Sequence, residues 1–524
     1  MILLAAASAI ALETVAAPAT AQSMNMPGMT MPMPPKKSPA KKSARKPTPK
    51  PVAPAKKATK KSATSPTADE PTSRDMKMPM SAPAQAGPGE QAIAPMDHSQ
   101  MQHGAMPSQA SPDNQMTMPM GEGRPAEAMQ HGEHAMHGKA MMGALGPYES
   151  QRESSGTAWQ PDSTAAMSGP MATAGSWMLM AHGTLNLVYD HQSGPRGDDK
   201  VFASGMLMGM ARRPLGNGAL QLRAMLSPDP LMGAAGYPLL LATGETANGK
   251  APLTDRQHPH DLFMELSTSV SQNIGAKSSL FLYAGLPGEP AFGPPPFMHR
   301  ESILDSPEAP ITHHWLDSTH ITFGVVSAGL VVDRLKIEVS RFNAREPDQH
   351  RWNIETGPLD STSVRLSWNP LRVLALQGSW GEFKDPEQLE PGVDQKRWSA
   401  SALWADDIAP DWHAAATLAW GRKSSEGHHD DAIALEGSFK HAGWTWFGRG
   451  ERIENRELLG LGEGPAYRVG KISLGAVRDF RIADHWSLGA GGLVSLNWVP
   501  DALAPLYGGT SAAGAMGFLR VKLD

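Results

Sequence analysis

The stretch Asp484–Trp498, DHWSLGAGGLVSLNW, alternates apolar residues with small or polar residues at a period of two. Its apolar face begins at Trp486 and ends at Trp498, and Trp favours both water boundaries of a membrane. At about 3.3 Å per residue and a tilt of about 40°, the steps between these two Trp residues climb roughly 30 Å, the apolar thickness of a bilayer. The stretch therefore predicts a transmembrane strand, and its alternative is a half-buried strand of a soluble sandwich.

The same alternation recurs along the chain and predicts about sixteen strands. They lie near 176–190, 200–213, 217–227, 260–274, 277–286, 317–329, 333–345, 360–369, 372–383, 395–406, 411–423, 430–440, 443–454, 467–480, 484–498 and 509–524. Tight connections such as Leu215–Gly218 alternate with longer ones such as 228–259 and 287–316. Outer-membrane barrels have short periplasmic turns and long external loops, so residues 176–524 are predicted to form an all-β, antiparallel transmembrane barrel.

The composition excludes several other classes of protein. A net charge of −5 is too small to indicate nucleic-acid binding, and the absence of Cys excludes disulfides and thiolate-bound metals. No apolar run reaches 18 residues, so no transmembrane helix is expected.

The region before the barrel divides into two parts. Residues 1–21 resemble a secretory signal peptide, with an apolar stretch from Ile2 to Leu12 and an A-x-A site at Ala19–Ala21. Residues 22–150 contain few β-branched or aromatic residues, so we expect a disordered leader, rich in Met, His, Pro and Lys, that lies in the periplasm. Its run Lys36–Lys61 is interpreted either as a solvated spacer or as an attachment to anionic surfaces.

Methionine and histidine recur in this leader as M-x-M and M-x-H pairs. The predicted metal ligands there are Met96, His98, Met101, His103, Met129, His131, His134, Met136 and His137. A thioether is a soft ligand that selects Cu(I), and imidazole accepts Cu(II). Copper binding is therefore predicted, and the alternative is a low-complexity linker.

The units Met96-Asp97-His98, Met129-Gln130-His131-Gly132 and His134-Ala135-Met136-His137 resemble the Met/His-rich leader of the copper-resistance protein B family. The resemblance covers the leader and the order of the parts. It implies a metal-binding leader before an outer-membrane barrel, and a role in copper handling or resistance.

Six further His residues fall on the two longest predicted external loops or beside them. They are His258, His260, His299, His313, His314 and His320. Together with Asp261, Glu301 and Asp317 they are predicted to converge on one Zn or Cu(II) site, and His428–Asp431 forms a weaker second cluster. The alternative is that the loops fold into the lumen and use these side chains as ordinary hydrogen-bonding partners.

No phosphate loop, G-x-S-x-G or H-E-x-x-H motif occurs, so we expect a non-enzymatic protein. A barrel-borne hydrolase that uses His260–Asp261 or Asp317–His320 is a distant alternative. The leading prediction is an outer-membrane barrel that handles copper, with the lipid bilayer and metal ions as partners and a homo-oligomer as one possible state. The alternative function is a general porin for small solutes.

Overall fold

The computed structural model describes residues 141–165, 169–460 and 464–524, and almost all of its regular structure is β. The strands are β1 Met171–Ala174, β2 Trp177–Gln192, β3 Asp199–Leu215, β4 Gly218–Leu226, β5 Tyr237–Thr246, β6 Pro252–Gln257, β7 Phe263–Gly275, β8 Ser278–Gly285, β9 Val325–Val332, β10 Leu335–Phe342, β11 Ser361–Leu371, β12 Leu374–Phe383, β13 Gln395–Ala409, β14 Trp412–Ser425, β15 His428–His441, β16 Trp444–Asn455, β17 Tyr467–Ala483, β18 Trp486–Trp498 and β19 Ser511–Leu523. The helices are α1 His313–Leu316 and α2 Ala504–Tyr507, with 3-10 turns at Ser150–Arg152, Asp229–Met232, Phe297–His299 and Ser318–His320. Within the described ranges, no helix has the length and apolar character to cross a membrane.

The strands close into an antiparallel barrel of sixteen, from β2 to β4 and from β7 to β19. Closure is made by β19, which pairs with β2 through Gly514↔Gln192 to Leu523↔Gly183. Because the ring is closed, no strand leaves an unpaired edge, which is what a bilayer requires of a sheet. The predicted fold class is confirmed.

The two faces of β18 are those that the sequence predicts. Trp486, Leu488, Val494 and Leu496 are between 40% and 63% exposed on the outside. Ser495 and Asn497 are buried on the inside. An exposed apolar surface around a closed barrel is stable only against lipid, so the outer surface faces a membrane.

Three local features differ from the prediction. The connection between β14 and β15 is a two-residue turn at Glu426–Gly427, because both strands extend further than the pattern indicated. β9 begins at Val325, since Ile321 and Phe323 turn inward and are buried under the wall. The loop 227–262 contains the hairpin β5–β6, which the sequence prediction missed.

A segment before the barrel, residues 141–165, lies inside the lumen at the end with the short turns. We call it the plug segment. Thr157 donates to Glu338 Oε2 at 2.5 Å and accepts from Arg365 Nη2 at 2.9 Å. Asn369 Nδ2 donates to the Gln160 carbonyl oxygen at 2.8 Å. The leader was predicted to extend to residue 150, but residues 141–150 belong to the folded plug segment. Side chains of the wall donate hydrogen bonds to backbone oxygens of this segment.

Two long loops also fold inward. The hairpin loop, residues 227–262, places Tyr237 against Phe202 of β3 with ring centroids 4.4 Å apart. The cross-lumen loop, residues 286–324, leaves β8 and reaches the opposite wall, where Glu308 lies 2.6 Å from Lys471 Nζ of β17. These two loops and the plug segment therefore fill much of the lumen. This agrees with the alternative in which the long loops fold into the lumen.

Candidate metal centre in the lumen

Five of the six loop histidines meet inside the barrel, where the hairpin loop touches the cross-lumen loop. Ring centroids lie 5.1 Å apart for His260 and His320, and also 5.1 Å apart for His313 and His320. His258 and His314 flank this group, and the His258 ring lies 5.6 Å from that of His313 and 5.5 Å from that of His314. All five side chains are buried.

Three of them have the geometry of a metal site. One ring nitrogen each from His260, His313 and His320 lie within 4.8 Å of one another. A tetrahedral ion with Zn–N bonds of about 2.1 Å needs nitrogens about 3.4 Å apart, so the farthest pair would have to approach by up to about 1.4 Å. We call these three residues the three-His site.

Asp317 orients two of the three imidazoles. Its Oδ1 accepts from His313 Nδ1 at 2.7 Å, and its backbone oxygen accepts from His320 Nδ1 at 2.7 Å. A carbonyl oxygen only accepts, so Nδ1 of His320 carries the hydrogen, and Nε2 keeps a lone pair. That Nε2 is buried without a hydrogen-bond partner. In His313, likewise, Nδ1 is engaged by Asp317, which leaves Nε2 as the nitrogen with the lone pair.

Asp229 performs the same task for the third imidazole. Its Oδ2 accepts from His260 Nδ1 at 2.8 Å, and Nε2 of His260 is buried without a partner. A carboxylate or carbonyl that holds the second ring nitrogen is the usual outer support of a metal-binding His. All three rings of the site have this support.

An ion pair anchors Asp317 to the barrel wall. Arg300 Nη1 lies 2.6 Å from Asp317 Oδ2, while its Nε and Nη2 make a bidentate contact with Glu436 of β15 at 2.8 and 2.7 Å. Burial alone would raise the pKa of Asp317, but the adjacent guanidinium lowers it below its ordinary value. Asp317 is therefore an ionised acceptor.

Burial favours the neutral form of His313 and of His320. Burial lowers the pKa of His313 and the pKa of His320. The neighbouring His260 and His313 lower the pKa of His320 further. Burial likewise lowers the pKa of His314 to about 4. Only a neutral imidazole binds a metal, so burial prepares His313 and His320 for this role.

Two glycines allow α1 to lie against the wall. A Cβ on Gly421 of β14 would lie 2.4 Å from the Trp315 carbonyl oxygen, and one on Gly293 would lie 2.0 Å from that of Leu316. Gly293 also has φ +71°, a conformation that favours glycine. The close approach at these two glycines therefore determines the position of α1, and with it that of His313.

We expect Gly421→Ala to weaken metal binding by about 10- to 100-fold, the usual cost of disturbing the support of a ligand, without touching any ligand atom. The added Cβ must push α1 away from the wall. Gly437→Ala on β15 is the matched control, since its Cβ would meet nothing closer than 3.8 Å. Competition titrations with a chelator measure the difference, and equal affinities in the two variants would refute this role of Gly421.

The other predicted loop residues go elsewhere. Glu301 lies 3.2 Å from His413 Nε2, and Asp261 lies 3.2 Å from Arg351 Nη1. His299 is separate from the five, because the 3-10 turn Phe297–His299 directs it towards His182 of β2; burial and this second imidazole lower the pKa of His299 to about 3.

The second predicted cluster, His428–Asp431, lies at the turn between β14 and β15. His428 and His429 are exposed, and Asp430 and Asp431 form ion pairs with Arg456 and Arg422. The predicted ligands from Met96 to His137 lie outside the described residues.

Two features of the lumen were not predicted from the sequence. They are the support of His260 by Asp229 and the row of Met side chains on the inner face of β3. Asp229 stands 31 residues before His260, and no spacing rule connects them. The wall was visible as Met206, Met208 and Met210 alternating in one strand, a period that places all three thioethers on the inner face.

No protein-family model matches this chain, and no curated protein matches it. The solved structures similar to it include the outer-membrane expressed OmpT of Vibrio cholerae, with a TM-score of 0.39 and 9% identity over 67% of this chain and 100% of that one. The Salmonella typhi OmpF complex with daunomycin has a TM-score of 0.42 and 12% identity over 67% and 100%. The anion-selective porin from Comamonas acidovorans has a TM-score of 0.38 and 13% identity over 66% and 99%. Likeness at this level carries no argument about function, and the resemblance of the leader to copper-resistance protein B stays a prediction.

Proposed function

We propose that this chain is an outer-membrane β-barrel that binds a transition-metal ion at the three-His site. The observation that carries the proposal is the set of three buried imidazoles, each held at Nδ1 by an acceptor, with Nε2 left over. Nε2 of His260 and Nε2 of His320 are buried without a partner. This costs free energy in the empty protein, and a metal ion would satisfy both atoms. The role is binding and handling of the ion rather than catalysis.

The barrel supports an outer-membrane location. Apolar side chains stand exposed around its outside, and the short turns gather at one end while the long loops gather at the other. In outer-membrane barrels the short turns face the periplasm. The plug segment would then enter from the periplasm, and the three-His site would lie nearer the external end, beside the start of β7.

The donor set favours Zn(II) or Cu(II) as the ion. Three neutral imidazoles with one open position suit both ions, and in affinity for such ligands Cu(II) exceeds Zn(II). Copper is the ion that joins this site to the Met/His leader, whose thioethers select Cu(I). We therefore propose copper handling as the physiological role.

The test compares the full chain with His260→Ala/His313→Ala/His320→Ala. Both proteins are extracted in detergent, equilibrated with Cu(II) or Zn(II), and passed over a chelating resin. Both proteins carry the same leader, so any metal bound there is equal in the two. The difference in metal content therefore reports the three-His site. We expect one ion fewer per chain in the variant, and equal metal content would refute the proposal.

A channel for small solutes is the second candidate, and the charged lumen wall favours it. Lys336, Arg365 and Arg449 face inward, as they would along an aqueous path. The loops and the plug segment occupy that path, however, so we expect low conductance from the intact chain in planar bilayers.

Deleting residues 141–165 should raise the conductance, because the wall groups bound to that segment would then face water. The control is Thr157→Ala, which loses the hydroxyl contacts to Glu338 and Arg365 but leaves the other contacts of the plug segment intact. High conductance from the intact chain would favour the porin function.

A further inference from the structure

A second cavity lies in the half of the lumen nearer the short turns. Its volume is about 230 Å³. The wall contributes His182 from β2 and Met206 from β3, and the cross-lumen loop contributes Met298 and His299. Two imidazoles and two thioethers therefore line one cavity, and none of the residues of the three-His site lines it.

Both imidazoles have an unused nitrogen. Nε2 of His182 and Nε2 of His299 are buried and have no hydrogen-bond partner, and each side chain is 8% exposed. Buried polar atoms normally find a partner. Two such atoms beside the same cavity indicate a polar or charged occupant, and a neutral imidazole can offer it a lone pair.

The thioethers identify the class of that occupant. Met206 and Met298 pack against an apolar cluster that includes Met225 and Met264, but they also line the cavity, which the other two do not. Methionine often fills irregular apolar gaps, and this explains Met225 and Met264. A water molecule would satisfy the imidazoles but gain little from sulfur, whereas a soft cation binds both ligand types.

The two lysines that line the cavity are each paired with carboxylates. Lys440 Nζ lies 3.5 Å from Glu301 Oε1 and 3.6 Å from Asp305 Oδ2. Lys522 Nζ lies 3.2 Å from Asp524 Oδ2. Both lysines that line the cavity are thus neutralised by carboxylates.

We propose that this cavity is a binding site for a soft monovalent metal ion of the class of Ag(I) and Cu(I), with His182, His299, Met206 and Met298 as its ligands. The site goes beyond the proposed function, because it uses other residues and another oxidation state than the three-His site. It places thioether ligands inside the barrel as well as in the leader.

The test uses Ag(I), which is not oxidised during the experiment. Crystals of the full chain in detergent are soaked with Ag(I), and anomalous diffraction locates the ions. The test variant is Met206→Leu/Met298→Leu, which keeps volume and apolar character but removes sulfur. The matched control is Met225→Leu/Met264→Leu, which makes the same change in the apolar cluster. Ag(I)-dependent stabilisation against heat gives a second readout in solution, where binding to the folded barrel raises the unfolding temperature.

We expect an Ag(I) peak between His182 and His299 that disappears in the test variant and persists in the control, with the thermal shift following the same pattern. An empty cavity in crystals that bind Ag(I) elsewhere would overturn the proposal. A peak that survives in the test variant, or one lost equally in both variants, would also overturn it. Removing the three-His site should leave this peak in place, so each proposal can fail without the other.

Discussion

His313→Ala is expected to weaken binding of Zn(II) or Cu(II) in the lumen by about 100-fold. A structural zinc site with four ligands contributes about 10–16 kcal/mol, or about 3 kcal/mol per ligand, and each 1.4 kcal/mol is a factor of ten. His313 stands at the centre of the five histidines, because its ring lies between 5.1 and 6.5 Å from each of the other four rings.

The measurement is a competition titration of the full chain against a chelator of known affinity. His428→Ala is the control, since His428 is exposed at the turn between β14 and β15. Asp317→Asn should give a smaller loss, about 10- to 100-fold, because it disturbs the orientation of the rings and leaves the ligand atoms in place. Unchanged affinity in His313→Ala would mean that the imidazoles are structural.

Arg300→Met is expected to destabilise the cross-lumen loop by about 3–5 kcal/mol, the usual cost of leaving a buried charge without its partner. Arg300 is fully buried between Asp317 and Glu436, so two carboxylates would lose their shared cation. The barrel strands keep their own backbone hydrogen bonds. The substitution should therefore lower the stability of the cross-lumen loop and not that of the barrel. Metal binding should weaken in parallel, because Asp317 would no longer be fixed.

Limited proteolysis of the folded barrel in detergent measures this loss, since cleavage within 286–324 follows the population of the opened loop. The rate should rise by at least about 100-fold. Arg345→Met is the matched control, because its pair with Asp360 is about one-third exposed and such pairs contribute about 1 kcal/mol or less. Adding Glu436→Gln to Arg300→Met should restore part of the protection. Equal cleavage rates in Arg300→Met and Arg345→Met would contradict the anchoring role.

The barrel was predictable because its signal is local and repeated. The alternation in Trp486–Trp498 is enough to predict which side chains of that strand face lipid. The other strands show the same alternation. The hairpin β5–β6 was missed because Leu239–Leu241 is a continuous apolar run without alternation. Such a run indicates burial, but periodicity alone does not give its secondary structure.

The candidate site was predictable only in its residue types. Five histidines on two long loops do converge, yet the sequence could not separate His299 from them. That separation depends on one 3-10 turn, which directs His299 to His182 on a distant strand. The supports were equally hidden, since the contacts of Asp229 with His260 and of Glu436 with Arg300 join positions 31 and 136 residues apart. The first contact forms when the hairpin loop folds on itself, and the second forms when the cross-lumen loop packs against the wall. No local sequence pattern encodes either contact.

Anomalous diffraction would show directly whether the lumen holds a metal ion on three imidazoles. Crystals of the full chain grown with Zn(II) or Cu(II) would be measured above and below the absorption edge of the metal. We expect one strong peak about 2.0–2.1 Å from Nε2 of His260, His313 and His320. Anomalous peaks elsewhere on the protein, with none between these three rings, would contradict it.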